Sequence, residues 1–213
     1  MRVRLFLCAV TTVLLAFTTP VLSADYEFND GITVSFEQLP EHWQISKEPP
    51  AFLLNEHASH VTPAQLAAAR KSGIETAEGV ALKMLKGNDL FIYNPQTGSH
   101  LEIDFSSLRE GESPPSAGSL KASANYAAEG LEDEPGIEGA KSKVGKTRIA
   151  GTEVAYRVDA DFLKRGKATR FIGVITFAHN HWIYLYFTGP QSGLEDLDVL
   201  NKVLTSFSII RKN

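Results

Sequence analysis

The sequence predicts an α+β fold: a central antiparallel sheet with helices packed on both faces, an α/β/α sandwich. Three features of the chain point to it. Four strand-like segments follow one another from Lys141 to Phe187, joined by Ala150-Gly151, Lys164-Arg-Gly-Lys167 and Ala178-His-Asn-His181. Connections that short join antiparallel neighbours, because parallel strands need a long crossover. Helical segments are few and set apart from the hairpins, which separates α+β from a parallel α/β sheet. In Trp182–Phe187, Trp182, Tyr184 and Tyr186 share one face while Ile183, Leu185 and Phe187 share the other. Both faces are apolar, so both need cover.

Taken in order, the chain opens with Arg2 and Arg4, an apolar run from Leu5 to Phe17, then Pro20 and the small residues Ser23 and Ala24. A basic end, a short apolar core and a small-residue exit form the pattern of a cleaved secretory signal. The core falls short of the roughly 20 apolar residues a membrane-spanning helix requires. Residues 1–23 are therefore read as a signal peptide, cleaved after Ser23 or Ala24, and 24–213 as one α+β domain, periplasmic or secreted, with no transmembrane segment left. Cys8 is the sole cysteine and lies early in the apolar run, not at a lipidation position, so cleavage leaves no thiol. Such a domain holds together by core burial alone. About 190 residues suffice, burying roughly 70% of the unfolded surface. Losing Arg2 and Arg4 takes 21 basic against 25 acidic residues to 19 against 25, a net charge of −6. That balance argues against nucleic acid as a partner.

Tyr26–Phe36 alternates on both sides of Asn29-Asp30-Gly31, the signature of a hairpin whose turn needs positive φ. A short strand is expected after Trp43, and Phe52-Leu53-Leu54 reads as another. Thr62-Pro63 opens a helix that Gly73 closes. Gly79–Lys86 fits a short helix or a strand equally well. Leu90–Tyr93 and His100–Phe105 read as two strands, Arg109–Gly118 as a loop and Leu120–Leu131 as a helix. Asp133–Gly139 is an acidic loop leading into the four-strand run. Leu194–Phe207 carries a wide apolar stripe with Glu195 and Asp196 in the first turn, and Phe207–Ile210 is an edge-strand candidate.

Lys146–Tyr156, Phe171–Phe177, Trp182–Phe187 and Leu197–Phe207 together resemble the PsbP-like family. Gly31–Phe36 with Leu39-Pro40 and Trp43 looks like the family's opening strands. The match covers about two-thirds of the chain and leaves Ala58–Ser119 unmatched. The resemblance implies a central antiparallel sheet covered by helices on both sides. It also implies a mostly non-enzymatic family that assists or stabilises larger complexes, with no common catalytic residues to carry over.

The candidate site residues are histidines and a basic cluster. His57 and His60 lie three apart and His179 and His181 flank Asn180, so two pairs could supply metal ligands. The second pair is equally well explained as the polar link between two strands. Lys164, Arg165, Lys167 and Arg170 crowd one hairpin and could meet an acidic protein face or phospholipid headgroups. Solvated strand faces account for such a run just as simply. The chain has no G-x-S-x-G, and its glycine-containing stretches 130–139 and 145–151 lack the strand, helix and Lys-Ser/Thr context of a phosphate loop. No cofactor is implied. The expected function is a non-enzymatic accessory or binding domain acting on another envelope component. The alternatives are a small-molecule or metal carrier using the His179/His181 turn, and last a hydrolase with a non-standard site.

Overall fold

The structure is a computed structural model describing residues 23–28 and 31–211. Of the segment 1–23 read as a signal peptide, all but Ser23 lies outside the described residues, as do Asn29, Asp30 and residues 212–213. In chain order the elements are β1 (Ser23–Glu27), β2 (Ile32–Glu37), β3 (Gln44–Ser46), α1 (Ala51–Ala58), α2 (Pro63–Arg70), α3 (Ala77–Leu85), β4 (Leu90–Tyr93), β5 (His100–Ser107), α4 (Ala117–Glu129), β6 (Ile137–Thr147), β7 (Ala155–Lys164), β8 (Lys167–Ala178), β9 (His181–Pro190), α5 (Leu194–Ser206) and β10 (Ser208–Arg211).

Two antiparallel sheets result, a large one in the order β3-β4-β5-β9-β8-β7-β6 and a small one in the order β1-β2-β10. The four-strand run is the meander β6–β9. Its β7–β8 and β8–β9 turns have two residues each. Lys164 pairs directly with Lys167 and Ala178 with His181. Arg165 and Gly166 have φ of 55° and 74°, and His179 and Asn180 have 50° and 64°. Positive φ at both central positions makes these type I′ turns, whose twist matches that of the flanking strands. The first hairpin pairs as expected, with Tyr26 opposite Val34.

Local signals settle the helices. Thr62 and Gln65 form a reciprocal capping box at the start of α2, with the Gln65 N–H donating to Thr62 Oγ1 at 3.2 Å and the Thr62 N–H to Gln65 Oε1 at 2.8 Å. Thr76 caps α3 by accepting from the Gly79 N–H, which resolves the ambiguous segment as helix. The strand expected at Phe52-Leu53-Leu54 is instead part of α1. A three-residue apolar run has no period to read, and the outcome is set by what it buries: Leu53 packs with Leu85 and Phe91.

One face of the large sheet (Leu101, Ile103, Val174, Leu185, Phe187) packs on Val34, Phe36 and Ile209 of the small sheet and on Leu200, Val203 and Leu204 of α5. The opposite face is covered by α4, whose Leu120, Ala124 and Ala128 sit on Tyr156, Val158 and Ile175, and by α1 and α3 over Phe91. Helices thus lie on both faces, as expected; the small second sheet beside α5 is an addition. It is held against the meander at Gly151 (φ 85°), where a Cβ would come within 2.2 Å of the Ile209 carbonyl oxygen. No other residue type fits that approach. At the other end of α5, Asn94 Nδ2 and Ser99 Oγ donate to the buried Asp196 carboxylate at 2.9 and 2.6 Å, tying the helix to the β4–β5 turn. No helix among the described residues is long and apolar enough to cross a membrane.

Candidate binding cleft

The tight β7–β8 turn fixes where its basic residues stand. Lys164 points to the α1 side of the sheet, where its Nζ meets Glu56 Oε1 at 2.6 Å and ties the hairpin to the helix. Burial pushes the Glu56 carboxyl up, but the hydrogen bond and charge of Lys164 outweigh it, and the net shift is downward. His57, next on α1, is held below the ordinary imidazole value by burial and by the Lys164 charge. His60, just past the end of the helix, is lowered by burial and by Arg165. Both are therefore neutral imidazoles at neutral pH, and the positive charge here comes from lysine and arginine.

The Glu56–Lys164 pair divides a cleft into two arms that share Glu56, Lys164, Arg165 and Thr188. One arm, of about 340 Å³, adds Phe52, His100, Lys167 and Thr169. The other, of about 350 Å³, has an apolar lining of Met84, Leu131, Ile137, Phe162 and Phe171, with His57, His60 and Glu134 at its edge. From Phe171 a row of half-buried rings continues along β9: Phe171–Tyr186 at 5.7 Å between centroids, Tyr186–Tyr184 at 5.9 Å and Tyr184–Trp182 at 6.1 Å. These rings also pack against the α4 cluster, in keeping with a role in the core.

Beneath the first arm lie two titratable groups that sequence reasoning passed over. His100 is buried with Phe52 edge-on at 5.8 Å, and its Nδ1–H donates to the Gly98 carbonyl at 2.8 Å. Its Nε2 is 3.7 Å from Glu102 Oε1. Burial pushes His100 down to about 4 and Glu102 up to about 7. Between those values both are neutral, so their approach is not an ion pair, and the distance is too long for a hydrogen bond. Asn88 donates to the other Glu102 oxygen. The available signal was the alternation of His100, Glu102 and Asp104 on one face of β5, polar residues on a face that has to be covered.

The structure gathers some of the sequence candidates and separates others. His57, His60, Lys164 and Arg165 share the cleft, and Lys167 lines its first arm. Arg170 does not join them. It makes a bidentate pair with Asp161 opposite it on β7, at 2.8 and 2.9 Å, on the other face of the sheet from Phe171. His179 occupies the left-handed turn, and His181 Nδ1 bonds the His179 carbonyl at 2.8 Å. That turn is seven residues along β9 from Thr188, roughly 23 Å at the usual strand rise, so the two histidine pairs do not converge. Among the described residues no group of three or more His, Cys, Asp or Glu is placed to hold a metal ion.

No family model matches the sequence, and no curated protein matches it. Among solved structures the chain is similar to cyanobacterial PsbP (CyanoP) from Synechocystis sp. PCC 6803, with a TM-score of 0.53 and 12% identity over 91% of this chain and 96% of that one. It is also similar to LpqN, involved in cell envelope biogenesis of Mycobacterium tuberculosis, with a TM-score of 0.49 and 13% identity over 90% and 92%. A third similar structure is the Ran-binding protein Mog1p of Saccharomyces cerevisiae, with a TM-score of 0.39 and 9% identity over 88% and 95%. The first of these aligns nearly end to end, and the chain has the PsbP-like fold that its strand and helix patterns resemble.

Proposed function

We propose that this chain is an exported, non-enzymatic accessory domain, spanning 24–213, that binds another component of the cell envelope through the cleft between α1 and the β7–β8 hairpin. The observation that carries this reading is the cleft itself: an apolar arm and a cationic arm meet at one lysine held in place by Glu56. A concave site with an apolar lining and a few fixed polar groups is built to bind. The PsbP-like fold is compatible with a binding role, and the order of charges and apolar residues at the N-terminus supports export.

The test is capture from the native envelope after mild cross-linking, with the chain carrying its own export segment. Arg165→Asn/Lys167→Gln is the comparison variant, because Asn-Gly is a preferred type I′ pair and leaves the hairpin intact. A component enriched by the unaltered chain and lost with the variant is expected, and the recovered protein should begin at Ala24 or Asp25. Repeated recovery of no component, or equal recovery by the variant, refutes the proposal.

A further inference from the structure

We propose that the cleft takes a single-chain anionic amphiphile, its carboxylate or phosphate head in the arm of Lys164, Arg165 and Lys167 and its acyl chain over Leu131, Phe162 and Phe171. This rests on the reading of the cleft as the binding site and names the chemistry of its ligand. The head arm sets three cations against the single carboxylate of Glu56. Glu56 engages one of the three N–H donors of the Lys164 ammonium, and that group has two more to offer an anion. Arg165 stands in the two-residue turn and Lys167 opens β8 opposite Lys164, so their backbone positions are set before any ligand arrives.

The second arm shares Lys164 and Arg165 with the first but lacks Lys167 and adds more apolar side chains. Leu131 and Phe162 are buried side by side beneath it, and Met84 stands 55% exposed at its edge. A methionine side chain there is flexible and polarisable, suited to an alkyl chain of no fixed shape. Glu134 belongs to this arm and not to the other, so an anionic head is repelled from it and directed toward Lys167. Because Lys164, Arg165 and Thr188 line both arms, head and tail subsites are contiguous. Arms of about 340 and 350 Å³ fall within the roughly 300–1,000 Å³ of small-molecule sites.

Isothermal titration calorimetry on the mature chain tests this with dodecanoate, dodecyl phosphate, the neutral dodecyl ether of tetraethylene glycol, butanoate and inorganic phosphate, all below micelle formation. Both anionic dodecyl ligands should bind, the neutral one at least tenfold more weakly, and the two short anions not measurably. A difference between dodecanoate and dodecyl phosphate then says which head the site prefers. Arg165→Asn/Lys167→Gln should weaken the anionic ligands at least tenfold and the neutral one by much less. Met84→Glu, at an exposed position, should weaken every dodecyl ligand. Equal binding of the neutral ligand, or inorganic phosphate binding as tightly as dodecyl phosphate, overturns the proposal. If no dodecyl ligand binds while the unaltered chain, but not the double variant, still captures an envelope protein, the occupant is an acidic protein segment; the ligand class is then wrong and the cleft reading stands. If capture fails as well, both fall.

Discussion

Glu102 and His100 sit two residues apart on β5, and burial holds each in its uncharged form, Glu102 at about 7 and His100 at about 4. Their contributions to stability run in opposite directions with pH. For Glu102 the folded value lies above the ordinary carboxyl value of 4.5, so its contribution is full below that value and is lost as pH rises through about 7. For His100 the folded value lies below 6.5, so its contribution is full above 6.5 and is lost as pH falls through about 4. Glu102→Gln keeps an acceptor for Asn88 and removes the ionisation. The unfolding free energy of the variant relative to the unaltered chain, from urea titrations at pH 5 and pH 8, should rise by on the order of 2–3 kcal/mol between the two, because the opposing His100 contribution is common to both. Parallel profiles would mean that Glu102 is not held neutral. At the residue scale the sequence showed polar residues alternating on one face of β5. It did not show how deeply the α1 side of the sheet buries them.

The two tight turns carry the argument at the scale of elements. Lys164–Lys167 and Ala178–His181 were readable because two residues between apolar strands leave little other choice. What the turn residues do follows from their conformation. His179 and Asn180 have positive φ because the I′ geometry demands it, which accounts for that histidine's place without a ligand. Asn180→Gly removes the Cβ from a left-handed position and should stabilise the chain by up to about 1 kcal/mol, seen as a raised Tm. An unchanged or lowered Tm would show that the Asn180 side chain contributes more than its backbone costs. Helix α1 was the element read wrongly, because Phe52-Leu53-Leu54 is apolar without period. Its helical state depends on Leu85 and Phe91, distant in sequence.

For the whole molecule, the decisive feature is that both sheets and α5 share one core, in which Phe36 is fully buried and stacks on Phe207 at 6.3 Å. Residues 24–213 should then unfold as one cooperative unit. Trp43 lies in this shared core and Trp182 on the opposite face of the large sheet, so Trp182→Phe and Trp43→Phe leave one reporter on each side. In urea both single-tryptophan chains should report the same midpoint. Adding Phe36→Ala should lower the unfolding free energy by about 3–5 kcal/mol, with the midpoint shifting equally at both reporters. Two separate transitions would show that the small sheet is an independent unit.

The sequence by itself determined the class of the fold, the meander and the capped helix α2. All of these rest on contacts and periodicities within about a dozen residues. Tertiary structure alone decided that α1 is a helix, that β10 joins a second sheet, and that Glu56 reaches Lys164 from over a hundred residues away. It also decided that His57 and His60 join the basic hairpin while His179 and His181 stand at the far end of β9. The physical reason is common to these cases. Pairings between distant segments depend on which apolar faces bury one another, and a local pattern shows that a face needs cover without showing which face will cover it.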